Sequence, residues 1–374
     1  MPQAVFVLHL DDYKGFIVAK RYPSTFSLNE RILNLVFMEH GDAVETVLKL
    51  CDVEGRRIAT FGSADHPRWL ACFVLGTDED FAQESKTLSG MGRLILEIVV
   101  QLPDLADIGE ILRNRVTIEE MNEEQNAAKV FLIPSAGILL DKMQSEGVIK
   151  ARNLEMWMKS QIQSEDISLR DVVTSMMKAG ILKVEFVGRD EEAKPPKAGA
   201  ETVFLVRDLF GYRAPPVKSL DECAANQPAI FENYKKYVEG FFANYNPTLP
   251  IDDPTSSGVE DRTRIARLIS HTIDYTIVKQ LRERPMSVKE MSKKTLLPAQ
   301  VIQDRMWKLE SERLVTQFED EGLWALISNP TFETFMPEYV LPIVAKKHAE
   351  EQLDTPTAER YLELLMETWG EQSD

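Results

Sequence analysis

The sequence predicts an α+β chain, with a five-stranded antiparallel sheet and helices at the N-terminus followed by two units of the form helix, helix, helix, hairpin. Three observations carry this. Residues 1–126 alternate short β-rich runs with three helical periods. Residues 127–217 and 259–330 each set amphipathic helical stretches ahead of paired strand-like runs. Between them, NYNPTLPIDDPTSSG at 244–258 carries Pro247, Pro250 and Pro254 and reads as a linker.

Residues 4–10 (AVFVLHL) and 15–20 (GFIVAK) flank the turn-forming Asp11-Asp12-Tyr13-Lys14-Gly15, so they read as a hairpin. SLNERILNLVFMEHG follows. Its Ser27 and Glu30 form a capping-box pattern, Ile32, Leu35 and Val36 share one helical face, and Gly41 is a stop. Strand-like runs at 44–53, 56–62 and 69–76 come next, the first two joined by Glu54-Gly55. A long helical period from Glu79 to Leu102 is ended by Pro103, and a second helix is expected from Asp104 to about Asn126.

In the middle unit, AGILLDKMQSEG and RNLEMWMKSQIQ precede SLRDVVTSMMKAGIL, where Ser168 and Asp171 make a capping pattern and Gly180 ends the helix. LKVEFVG then pairs with ETVFLVRD across RDEEAKPPKAGA. Three helices and a two-stranded wing is the winged-helix pattern. Residues 218–258 are expected as a linker region. The pattern returns at 259–330: a helix RTRIARLISHTIDYTIVKQLRERP, a short capped helix SVKEMSKKT, a recognition-type helix AQVIQDRMWKLESERLV, and a wing about Gly322. Residues 331–374 are expected as an acidic helical tail.

Composition narrows the function. Of 374 residues, 44% are hydrophobic and 28% charged, enough to build real cores. No apolar run is long enough for a transmembrane segment, and the start lacks a cationic leader pattern. The expectation is a cytoplasmic protein, reaching a membrane only through partners. Cys51, Cys72 and Cys223 are scattered without CxxC spacing, and His9, His40, His66, His271 and His348 are equally dispersed, so neither a metal centre nor a disulfide framework is expected. No GxGxxG, P-loop, HExxH or GxSxG pattern occurs, so no cofactor and no self-contained active site are expected. Glu119, Glu120, Glu123 and Glu124 read as a solvated helical face.

The net charge of −17 divides into −9 over residues 1–125, +1 over 126–217 and −9 over 218–374. Such a chain repels phosphate at long range. A DNA-binding transcription regulator is nevertheless one reading of the last unit, with Gln300, Gln303, Arg305 and Lys308 facing outward and Lys289, Lys293 and Lys294 preceding them. The wing tip Glu319-Asp320-Glu321 opposes it, because a backbone contact there would want a cation. Nucleic acid is therefore disfavoured against protein partners.

The order strand, strand, helix, three strands, helix, helix over residues 3–125 resembles a longin domain, with roadblock and profilin-like domains as near alternatives. A longin domain followed by winged-helix units resembles the nitrogen permease regulator-like proteins and, more distantly, the folliculin type. The resemblance implies a regulator or scaffold that binds a small GTPase or a longin- or roadblock-type subunit, as a hetero-oligomer or homodimer. It also implies that Arg68, ahead of WLACFVLG, matches the position of an arginine finger that stimulates GTP hydrolysis. Ser27, Arg31 and Asn34, on the first helix and its lead-in, are the partner-binding residues it points to. An assembly subunit like the winged-helix components of ESCRT complexes is a further alternative.

Overall fold

The computed structural model describes residues 2–41, 46–64, 66–77, 79–105, 107–161, 169–188, 199–245 and 257–370. The chain divides into two compact units: Met1–Glu120 with Met286–Lys308 and Glu321–Leu323, and Met121–Pro285 with Leu309–Asp320 and Trp324–Asp374.

In the first unit, β1 (Ala4–Asp11) and β2 (Gly15–Tyr22) form the expected hairpin. At its turn Asp11 Oδ1 accepts from the backbone N–H groups of Tyr13 and Lys14, both at 2.9 Å, and Gly15 takes φ +73°. Helix α1 (Glu30–His40) starts later than its sequence pattern suggested. Asn29, not Ser27, is the cap: its Oδ1 accepts from Ile32 N at 2.8 Å, leaving Ser27 exposed outside the helix. Strands β3 (Val47–Val53), β4 (Arg56–Ser63) and β5 (His66–Leu75) complete an antiparallel sheet of order β2-β1-β5-β4-β3. Glu54 and Gly55 both take positive φ, +49° and +75°, as a two-residue hairpin turn of matching twist requires.

Alternation along the strands sends side chains to two faces. On one, Phe6, Leu8, Ile58, Leu70 and Cys72 bury Ile32, Leu33 and Val36 of α1. On the other lies α2 (Phe81–Gln101), which buries Leu88, Met91, Leu94, Ile95 and Ile98. Gly92 permits this approach, since a Cβ there would sit 2.6 Å from the Phe61 side chain.

The helix expected from 104 to 126 is broken. After a 3₁₀ turn at Pro103–Leu105, α3 (Ile108–Asn114) ends where Arg115 turns left-handed at φ +51°. The β-branched Val116-Thr117-Ile118 then runs past α2, with Ile118 N donating to Gly90 O at 3.3 Å.

The second unit opens with α4 (Glu123–Val130), α5 (Pro134–Glu146), β6 (Val148–Lys150), α6 (Ala151–Gln161) and α7 (Leu169–Lys178). The hairpin of β7 (Leu182–Val187) and β8 (Ala200–Leu205) follows, pairing Leu182 with Leu205. β6 joins it to give the order β6-β8-β7. Three residues are too few for alternation to reveal this strand in the sequence. Ser168 and the wing acids Asp190, Glu191 and Glu192 lie outside the described residues.

Beyond β9 (Asp208–Ala214), much of the expected linker region is helical, as α8 (Val217–Asn226) and α9 (Pro228–Asn244). The single helix expected near 262–283 is two, α10 (Ser257–Ser270) and α11 (Thr272–Glu283). His271 separates them, its Nδ1 accepting from Asp274 N at 3.2 Å as an N-cap. Next along the chain come α12 (Val288–Thr295) and α13 (Ala299–Ser311), which up to Lys308 are counted with the first unit, then the hairpin of β10 (Val315–Phe318) and β11 (Leu323–Leu326), turning at Gly322 with φ +63°.

The tail is neither wholly helical nor free-standing. β12 (Asn329–Phe335) pairs with β9, and α14 (Leu341–Ala349) and α15 (Thr355–Trp369) pack on the three-stranded sheet and its helices. Tyr361 OH donates to Leu205 O at 2.9 Å and Trp369 Nε1 to Val206 O at 3.0 Å, while Arg360 holds Glu185 of β7 in a fork at 2.7 and 2.9 Å.

Two predictions follow from these cores. Buried His40 bonds Thr60 Oγ1 through Nδ1 at 2.7 Å, and its Nε2 has no partner among the described residues. Burial, aided by Lys49, lowers its pKa from 6.5 to about 4, so the folded protein holds it neutral. Its contribution is complete above about pH 6.5 and is lost as pH falls through about 4, by up to about 3 kcal/mol. Urea melts of wild type and His40→Gln across pH 4–7 will differ in slope over that window. Arg213, buried, grips Asp261 at 2.8 and 2.9 Å. Arg213→Met strands that carboxylate and is expected to cost about 3–5 kcal/mol in urea unfolding, whereas Arg213→Met with Asp261→Leu recovers much of the loss.

Candidate functional site

β5 begins at His66, so Arg68 is the third residue of the strand and not in a loop leading into it. The reason is pairing: Trp69 lies opposite His9 of β1, and the strand extends as far as Ser63 of β4 can pair with His66. Arg68 Nη1 donates to Asp12 Oδ2 at 2.7 Å, with the two side chains 54% and 63% exposed. The Asp12 carboxylate pushes the guanidinium pKa further up, so the cation is permanent. Asp65, the partner that sequence proximity suggests, lies outside the described residues.

The base beneath this cation is stiff. The Trp69 ring stacks on His9 at 4.1 Å, and His66 Nε2 meets Glu97 Oε2 of α2 at 3.1 Å. Glu97 is held in turn by Gln101 Nε2 at 3.0 Å. A rigid base and an exposed tip let a cation enter a neighbouring molecule, at the expense of an ion pair already in water. The same end of the sheet presents Tyr13, 97% exposed at the hairpin turn.

On α1 the exposed residues form a stripe. Arg31, Asn34 and Met38 recur at helical spacing opposite buried Ile32, Leu33 and Val36. Arg31 Nε lies 3.4 Å from Glu54 Oε1 in an exposed pair, and Met38 is 74% exposed. Met38 was legible as the apolar exception on a polar face, four residues after Asn34. Ser27 is exposed before the helix, and Arg68 belongs to the sheet beneath, so the structure supplies no single cluster containing all four residues.

The residues of the nucleic-acid reading divide. Lys293 and Lys294 are exposed in the last turn of α12, and Gln300 and Lys308 are exposed on α13. Arg305 does not face outward. It is 3% exposed, on the inward stripe with Val301, Ile302, Met306 and Leu309. The outward stripe is Gln300, Gln303, Asp304 and Trp307, which with Val288 and Ala299 line a groove of about 470 Å³. Spacing alone leaves a helix's inward side ambiguous when an arginine sits among its apolar residues.

Among the described residues no group of His, Cys, Asp and Glu has the geometry of a metal site, and no helix is long and apolar enough to cross a membrane. Arg305→Ala is expected to lower unfolding stability by about 1–4 kcal/mol through lost packing and buried polar contacts, while Lys308→Ala stays within about 0.5 kcal/mol. Matched thermal melts of the two variants check this. No family model, no curated protein and no solved structure matches this chain.

Proposed function

We propose that this protein is a cytoplasmic regulator or scaffold whose N-terminal domain is a longin domain that docks a small GTPase or a longin- or roadblock-type subunit. The observation that carries this reading is the sheet order β2-β1-β5-β4-β3, with α1 on one face and α2 on the other. The arrangement keeps the order strand, strand, helix, three strands, helix on which the longin resemblance rests. For the middle unit, α5, β6, α6 and α7 followed by a hairpin that closes the sheet β6-β8-β7 favours a winged helix. Its wing strand β7 is tied to the acidic tail through Glu185 and Arg360, which suits a protein-bound module better than a phosphate-binding one.

In the sharper form of the proposal, Arg68 acts in trans. Phosphoryl transfer spreads negative charge over the γ-phosphate oxygens, and a guanidinium inserted beside them stabilises that charge, accelerating hydrolysis roughly 10³–10⁵-fold. To do so Arg68 exchanges Asp12 for the phosphate, a swap of one anionic acceptor for another. The partner-binding surface is the α1 stripe of Arg31, Asn34 and Met38.

Single-turnover GTP hydrolysis by purified small GTPases of the host, with and without this protein, tests both forms. The finger reading expects an acceleration of roughly 10³-fold or more that Arg68→Ala removes without weakening binding. Binding without acceleration leaves the scaffold, and absence of binding to every GTPase and every longin or roadblock subunit overturns the proposal. Met38→Asp is expected to weaken binding at least about tenfold with an unchanged thermal melt, because it puts a carboxylate into the exposed apolar contact.

A further inference from the structure

The groove between α12 and α13 has features that the docking role of the sheet domain does not use. Its wall on α13 is the stripe Gln300, Gln303, Asp304 and Trp307, and Val288 and Ala299 complete it. Trp307 is 58% exposed, although an indole is among the side chains most stabilised by burial. Apart from Asp304, the lining is apolar or uncharged.

The charge of this stretch is opposite to that of the chain. Residues 286–308 hold Lys289, Lys293, Lys294, Arg305 and Lys308 against Glu290 and Asp304, within a protein of net charge −17. All four lysines are exposed, Lys289 next in sequence to Val288 and Lys308 next to Trp307. The groove therefore combines a largely uncharged lining and an indole with exposed lysines carried, outside the lining itself, by both helices that build it. Leu296, also exposed at the end of α12, adds apolar surface to the same segment.

We propose that this groove docks an acidic segment of a partner protein, with an apolar anchor residue seated against Trp307 and Val288 and flanking carboxylates held by the lysines. Charge complementarity selects this occupant. A basic segment would meet the lysines, and in a second copy of this chain the acidic helix with exposed apolar residues, α15 with Leu362 and Met366, already has Glu363 and Glu367 held by Arg360. A single-stranded nucleic acid would use the indole and the lysines, but its phosphates and base edges would meet Asp304 inside the groove. An acidic peptide places its apolar side chain there and keeps its carboxylates outside, where interactions with lysine are longer-ranged and steer association. The proposal stands apart from the GTPase reading, since it uses neither α1 nor Arg68.

Selection of a random twelve-residue peptide library displayed on phage against the immobilised full-length protein tests it. The expected clones carry Asp or Glu on both sides of a Leu, Ile, Phe or Trp. Synthetic peptides from them should bind in fluorescence anisotropy, lose at least about tenfold affinity on Trp307→Ala, and weaken with Lys293→Glu plus Lys294→Glu and with added salt. Both substitutions are at exposed positions, and unchanged circular dichroism and melting confirm that each variant is folded. Recovery of no clones above background, of basic clones, or of clones indifferent to Trp307→Ala overturns the proposal. Labelled dT20 bound through Trp307 more tightly than every selected peptide also overturns it, and assigns the groove to nucleic acid.

Discussion

The second unit depends on two guanidinium groups, Arg213 buried and Arg282 half-buried. Arg213 of β9 donates to Asp261 of α10, to the carbonyl oxygens of Glu312 and Arg313 at 3.2 Å, and to Ser328 Oγ at 3.0 Å. Arg282 of α11 grips Glu124 of α4 at 2.6 and 2.7 Å, Asn329 Oδ1 at 2.7 Å and Pro330 O at 2.6 Å. Each arginine joins segments far apart in sequence. Burial alone would lower the Arg282 pKa, but Glu124 outweighs it and raises it. Because a buried guanidinium is costly unless its donors are satisfied, these two sites admit few alternative arrangements of α4, α10, α11, β9 and β12.

The first unit is governed by a different constraint, the burial of β5. From Leu70 to Val74 this strand pairs on both edges, with β1 and β4, and is covered on both faces. Only its first residues escape. The exposed end at Pro67 and Arg68 is thus attached to the least deformable strand of the sheet, and the His9–Trp69 stack and the His66–Glu97 contact extend that rigidity to the surface. A functional cation at this position would inherit its placement from the hydrophobic core, with flexibility confined to the side chain.

Electrostatics separate the surfaces. The chain is acidic overall, segments 262–284 and 286–308 are locally cationic, and the tail carries net charge −7 over residues 331–374. Arg360 sits among Glu185, Glu363 and Glu367, which push its pKa up and make α15 cohere with β7 despite the surrounding negative charge. A net acidic chain works against binding along a phosphate backbone, while local cationic segments leave room for charge-selective contacts.

The sequence alone determined the elements whose information is local. The β1–β2 turn around Asp11 and Gly15, the Glu54-Gly55 hairpin, the long apolar period of α2, and the helix-then-hairpin order of the later units all follow from turn chemistry and periodicity within a few residues. Tertiary structure decided what depends on distant partners. It paired β12 with β9, laid α14 and α15 on the middle sheet, interrupted 104–126 where Val116-Thr117-Ile118 runs along α2, and started β5 at His66 because a neighbouring strand was there to pair with it. The site residues divide in the same way. Arg31 and Asn34 were legible as the polar face of an amphipathic helix. Asp12 as the partner of Arg68, the inward turn of Arg305 and the outward turn of Trp307 were not, because a local pattern specifies a helix face or a strand but not which surface will cover it.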